Sequence, residues 1–189
     1  IYSFVLALEK GQSCSATPCS LDFLGQLVDK IAFSNAAEHK IVFTKYVRNS
    51  AVLQEADFVE QQILAPIASN VIAFATHGTT LFWLESSGKL WRKDAPQNPA
   101  NTISSLPSLA KEETEYSIHA FGDALFLKEG TRLLQVDAWK KTMEEVFSEA
   151  GMLEGSPDQK KLAVSNGSEV WVLYLQDSQD QPYHAKGDK

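Results

Sequence analysis

Short apolar runs broken by glycine turns return along this chain at a nearly constant interval. Residues 71–76 (VIAFAT), 79–84 (TTLFWL) and 89–93 (KLWRK) are separated by turns at His77-Gly78 and Ser86-Ser87-Gly88. Glycine takes φ > 0 at little steric cost, so such runs read as strands of a meander. A second copy runs through residues 116–121, the Gly122-Asp123 turn, residues 124–128, the Glu129-Gly130 turn and residues 131–136, with Met143 to Phe147 as a fourth strand. A third begins at residues 161–165, turns at Asn166-Gly167 and continues through residues 169–175. Asn-Gly between apolar runs is the strongest short hairpin signal. A less regular first copy covers residues 30–34, 40–47 and 51–59.

The inner strands of these copies begin near residues 31, 71, 117 and 161, at intervals of 40, 46 and 44 residues. A four-stranded sheet repeated every ~40–50 residues is the signature of a propeller blade, which buries its faces only against neighbouring blades. The expected fold class is therefore all-β, a β-propeller of about four antiparallel four-stranded sheets. Residues 1–189 read as one partial propeller region, a fragment of a larger ring. A β-sandwich also has short strands and turns, but its strands would not regroup at this period. The stretch 94–109, with Pro96, Pro99 and Pro107, is expected to be a long excursion between blades. Residues 54–67 suit either a short helix or an outer strand.

Composition narrows the function classes. Apolar residues make up 44% and charged residues 22%, which fits a packed globular chain and excludes wholesale disorder. Seventeen Lys and Arg face 24 Asp and Glu, a net charge of −7 with no basic run, which argues against nucleic acid as a partner. No apolar run approaches the ~20 residues of a membrane-spanning helix. The chain opens on a strand-like Ile1-Tyr2-Ser3-Phe4-Val5-Leu6-Ala7-Leu8 with no basic segment before it, so no secretory signal is visible.

Residues that bear reactive groups are scattered. Cys14 and Cys19 share one Pro-containing loop in a C-x4-C arrangement, and either close a disulfide or stand as two loop thiols. A zinc site would need two further ligands at matched spacing. His39, His77, His119 and His184 form no H-x-x-x-H or H-E-x-x-H pattern; His77 is expected in a turn and His119 as a satisfied, partly buried strand imidazole. There is no G-x-S-x-G elbow, no Walker A run and no G-x-G-x-x-G, so catalysis, metal binding and a cofactor are not expected. The clusters Glu112, Glu113, Glu115 and Glu144, Glu145, Glu149 read as loop and edge-strand charge. Asn166-Gly167-Ser168 matches a glycosylation sequon, but as a tight hairpin it needs no sugar. Trp83, Trp91 and Trp171 fall in strands and are expected in the core, whereas Trp139, in Asp137-Ala138-Trp139-Lys140-Lys141, sits at a turn and is the candidate exposed binding anchor.

Ser156-Pro157-Asp158-Gln159-Lys160-Lys161-Leu162-Ala163 resembles the S-P-D-G-K-K-[IL]-A motif of TolB-type, WD40-like bacterial propellers, with Gln159 where the motif has Gly. A degenerate copy lies at residues 32–43. Residues 168–175, continued by Gln181-Pro182-Tyr183, are similar to the propeller region of PEGA-domain-containing proteins, as are residues 81–84 taken with 88–91. The likeness covers residues 30–189, and no PEGA tetrapeptide occurs in the chain. It implies an extracytoplasmic propeller held by an upstream anchor at the bacterial cell envelope. The function expected is thus a non-catalytic scaffold that binds a protein or glycan partner. The alternatives are the substrate gate of a prolyl-oligopeptidase-like serine peptidase whose catalytic domain lies outside this chain, and a TolB-like periplasmic adaptor.

Overall fold

The computed structural model describes residue 24 and residues 28–35, 39–48, 50–95, 98–106, 114–122, 124–175 and 186–188. Among these residues the regular structure is β apart from a short 3₁₀ turn at Leu24, and no helix is long and apolar enough to cross a membrane. Among the described residues sixteen strands form four antiparallel sheets of four, and within each sheet the strands lie in sequence order. The first sheet holds β1 (Val28–Asn35), β2 (Lys40–Val47), β3 (Ser50–Asp57) and β4 (Gln62–Ser69). The second holds β5 (Val71–His77), β6 (Thr80–Glu85), β7 (Lys89–Lys93) and β8 (Asn101–Ser105). The third holds β9 (Tyr116–Phe121), β10 (Ala124–Glu129), β11 (Arg132–Asp137) and β12 (Thr142–Phe147). The fourth holds β13 (Leu153–Gly155), β14 (Lys161–Ser165), β15 (Val170–Tyr174) and β16 (Lys186–Asp188).

Three local expectations change. The 94–109 stretch is not a bare connection, because β8 lies inside it and pairs with β7 through Trp91↔Thr102 and Arg92↔Asn101. The only large apolar residue of β8 is Ile103, which is buried, so a strand among prolines and polar residues left little pattern to read. Residues 54–67 contain strand on both sides of a turn, not a helix. The run at Lys161 is the second strand of the fourth sheet; the first is the three-residue β13, paired through Leu153↔Val164 and Gly155↔Leu162.

The chain divides into two compact units between Val71 and Ile72. The first is centred on Ile41, Phe43, Ala56 and Phe58, buried with Leu24. Lys45 Nζ donates to the Leu24 carbonyl at 2.9 Å, which ties that turn to β2. The second unit has two cores in series. Phe82, Leu84 and Leu90 of the second sheet meet Ile118, Leu125, Leu127, Leu134 and Val136 of the third. The opposite face of the third sheet presents Ala124, Phe126 and Leu133 to Leu162, Val164 and Leu173 of the fourth. Strand alternation makes this possible: along β10, Leu125 and Leu127 point one way, Ala124 and Phe126 the other.

A polar row crosses the third sheet at one end. Tyr116 Oη donates to Glu129 Oε1 at 2.9 Å, and Arg132 donates to Glu129 Oε2 at 2.7 Å and to Glu145 Oε2 at 2.7 Å. Glu129 is buried, and a buried carboxylate persists only when paired and hydrogen-bonded. The hydrogen bond that Arg132 donates to Glu145 leads the causes that raise its guanidinium above its ordinary value.

Candidate functional site

Trp139 is the most exposed large apolar side chain among the described residues, with 97% of its surface in solvent. It rides on the turn between β11 and β12, and that turn is held at several points. Asp137 Oδ1 accepts hydrogen bonds from the Trp139 and Lys140 amides at 3.0 and 2.9 Å. Such an Asx turn replaces the missing backbone partners of a tight bend. Lys141 takes φ of 56°, and its carbonyl accepts from Ser104 Oγ of β8 at 3.3 Å. Lys140 Nζ lies 3.6 Å from Asp137 Oδ2. The indole is therefore presented on a fixed support, flanked by two lysines.

The same turn occurs in the first sheet. Asp57 Oδ1 accepts from the Val59 and Glu60 amides at 2.9 Å each, and Gln61 takes φ of 52°. Asp57-Phe58-Val59-Glu60-Gln61 and Asp137-Ala138-Trp139-Lys140-Lys141 thus build one device 80 residues apart. Sequence reasoning missed this repeat; the signal was an Asp closing the third strand of a sheet. At the position of Trp139 the first copy has Val59, which is half-buried.

The other three tryptophans lie on strands and contact other aromatic rings. Trp83 and Trp91 are cross-strand partners, and their rings stack at 6.0 Å with an 8° interplanar angle. The Trp91 Nε1 is buried with no hydrogen-bond partner among the described residues. Trp171 meets Phe147 edge-on at 4.6 Å. Trp83 alone is in the core as expected, Trp91 and Trp171 are half-buried, and Trp139 is exposed.

His119 is half-buried on β9, with its Nε2 2.8 Å from Ser117 Oγ and its ring stacked on Phe121 at 6.3 Å. Positions i and i+2 share a strand face, so this is a satisfied imidazole, as its place on a strand suggested. His77 ends β5 and so belongs to the strand, not the turn; Gly78 takes the left-handed φ of 57°. His39 lies in a turn with its ring edge-on to Phe58 at 5.7 Å. Of the acidic clusters, Glu145 pairs with Arg132, and Glu144 and Glu149 are exposed. Cys14, Cys19, Glu112, Glu113 and His184 lie outside the described residues. Among those residues no group of three or more His, Cys, Asp or Glu side chains could hold a metal.

The S-P-D turn is well formed despite its missing glycine. Ser156 Oγ donates to Asp158 Oδ1 at 2.6 Å and accepts from the Lys161 amide at 2.9 Å. The Ser156 hydroxyl first, and then the Lys160 amide, hold the Asp158 carboxyl below its ordinary value. Gln159 takes φ of 57°, a conformation that costs a non-glycine residue about 1–2 kcal/mol. Its side chain offsets part of this, since Gln159 Oε1 accepts from the Gly122 amide at 2.8 Å and joins this turn to the β9–β10 turn.

No protein-family profile and no curated protein sequence matches the chain. Among solved structures, the N-terminal domain of Nup159 superposes with a TM-score of 0.51 at 13% identity, over 85% of this chain and 43% of that one. A chain of the S. cerevisiae complex of Dbp5 with Nup159 and Gle1 gives the same values. YCF48 bound to D1 peptide is similar over 91% of this chain and 67% of its own, at 11% identity and a TM-score of 0.48. This chain thus spans less than half the length of the Nup159 chain. Four meander sheets of four strands, with the Nup159 likeness, make the fold a β-propeller.

Proposed function

We propose that this chain is a non-catalytic β-propeller scaffold that binds a partner protein, with Trp139 as the anchor of that contact. The observation behind the reading is the held turn: a fully exposed indole on a backbone fixed by Asp137 and Ser104. Tryptophan is enriched in interface hot spots because it buries a large rigid area on binding, and a pre-formed turn lowers the ordering cost of association. Leaving such a ring in water gives the isolated fold nothing, as the half-buried Val59 in the equivalent turn illustrates. Nup159, whose N-terminal domain shares the fold, has Dbp5 bound to it in the S. cerevisiae complex. A setting at the bacterial cell envelope belongs to the same proposal and rests on the TolB-like turn at Ser156 to Lys161.

The test is photo-crosslinking in the producing cell, with a benzophenone amino acid at position 139 and, as control, at position 59. A discrete protein adduct at 139 that is absent at 59 is the expected result. Trp139→Ala in the purified chain is expected to leave the melting temperature unchanged while weakening capture of the crosslinked protein at least about tenfold. No adduct at 139, or capture unaffected by the substitution, overturns the reading.

A further inference from the structure

The two ends of the third and fourth sheets carry opposite charge. In an antiparallel meander alternate turns fall at the same end, so the β9–β10 turn at Gly122 and the β11–β12 turn at Trp139 share one end of the third sheet. The β10–β11 turn at Gly130 lies at the other end. The Gly122 amide donates to Gln159 Oε1, which brings the β13–β14 turn to the Trp139 end. The Ala150 amide donates to the Thr131 carbonyl and the Gly151 amide to the Ser165 carbonyl, which brings the β14–β15 turn to the Gly130 end. Among the described residues, the exposed charges around Gly130 are Glu115, Glu149 and Glu169 against Arg132, which Glu129 and Glu145 already hold. Around Trp139 they are Lys140, Lys141, Lys160 and Lys161 against Asp158. Glu144 lies along β12 opposite Gln135, away from the turn.

We propose that the partner segment received at Trp139 is an acidic peptide, with Asp or Glu flanking an apolar residue; this rests on the reading of Trp139 as the anchor. Both acids near the ring are engaged within their own turns. Asp158 accepts from the Ser156 hydroxyl and the Lys160 amide, and Asp137, half-buried, accepts from the Trp139 and Lys140 amides. Lys140 reaches Asp137 at 3.6 Å and Lys161 lies over the Tyr174 ring, but Lys141 and Lys160 form no ion pair among the described residues. A chain of net charge −7 thus sets two unpaired ammonium groups, on two turns, at the end that carries its exposed indole. The third sheet is packed on both faces, so its end turns are what it offers to a partner. The indole takes an apolar side chain, and the lysines take carboxylates beside it, which steers encounter and rejects basic segments. A long phosphate backbone fits less well, because it would run on past a surface of net negative charge.

The experiment pans a random peptide display library on the purified 189-residue chain and measures the selected peptides, made with a fluorophore, by anisotropy. Peptides rich in Asp and Glu around an apolar residue are expected. Lys141→Glu and Lys160→Glu should each raise the Kd at least about threefold and together at least about tenfold, and added salt should weaken binding. Lys89→Glu, an equal change of net charge at an exposed site on the second sheet, should leave the Kd unchanged. Lys141 and Lys160 are both exposed, and if Lys141→Glu does not fold, Lys160→Glu and the salt dependence decide the matter. Neutral peptides that need Trp139 but ignore the lysine reversals overturn this inference and leave the anchor standing. Acidic peptides that bind Trp139→Ala as well as the wild type, or a library with no enrichment, overturn both. A single-stranded DNA of about 20 nucleotides that binds as tightly as the peptides marks a general polyanion surface and overturns the acidic-peptide assignment.

Discussion

The third sheet is buried on both faces and the fourth on one, although both descend from the same four-strand pattern. In β10 the first four residues, Ala124 to Leu127, are all buried, whereas β14 alternates, with only Leu162 and Val164 buried. β11 and β15 differ in the same way: Leu133, Leu134 and Val136 are buried in one, and Leu173 alone in the other. The difference lies in what flanks each sheet, not in strand chemistry, since Val170-Trp171-Val172-Leu173-Tyr174 is as apolar as any strand in the chain. In a stacked architecture, burial is a property of neighbours.

That contrast can be attacked from the shared core outward. Phe126 is fully buried between the third and fourth sheets, so Phe126→Ala should cost about 3–5 kcal/mol, read as a lowered midpoint in chemical denaturation. A loss below ~1 kcal/mol would mean that the two sheets do not share a core. A smaller effect is expected where the backbone of β13 comes close to the third sheet. A Cβ at Gly155 would stand 2.4 Å from the Phe121 ring, so Gly155→Ala should destabilise by about 1–3 kcal/mol. Combining it with Phe121→Leu should recover part of that loss if the clash is its source. The smallest effect belongs to the S-P-D turn at the far end of the fourth sheet. Asp158 has its folded pKa depressed, so its contribution is present above the ordinary carboxylate value of 3.8 and is lost as pH falls through the lower folded value. The melting-temperature gap between the wild type and Asp158→Asn should therefore be open at pH 6 and close below that folded value. A gap that does not change with pH would show that the turn holds by shape alone.

Much of this architecture was legible from the sequence, because glycine turns and apolar alternation are local signals. The Gly122, Gly130 and Asn166-Gly167 turns fall where hairpins were expected, and the exposure of Trp139 followed from its place at a turn. What escaped notice had weak local pattern. β8 carries one large apolar residue, and β13 is three residues long, so neither stands out against its loops. The left-handed Gln159 was hidden as well, because its compensation comes from Gly122, 37 residues earlier. Which face of the fourth sheet is buried could not be read at all: period-2 alternation shows that a strand has two sides but not which side finds a cover.

Every described sheet is assembled from four consecutive strands, so each ladder joins an element only to its neighbours in the chain. Pairing therefore closes short loops at little entropic cost, and no ladder has to await a segment synthesised much later. On a ribosome, the first sheet could complete its hydrogen bonds while the third was still inside the exit tunnel. Only the side-chain cores between sheets would remain to be consolidated, one boundary at a time, in the order of translation.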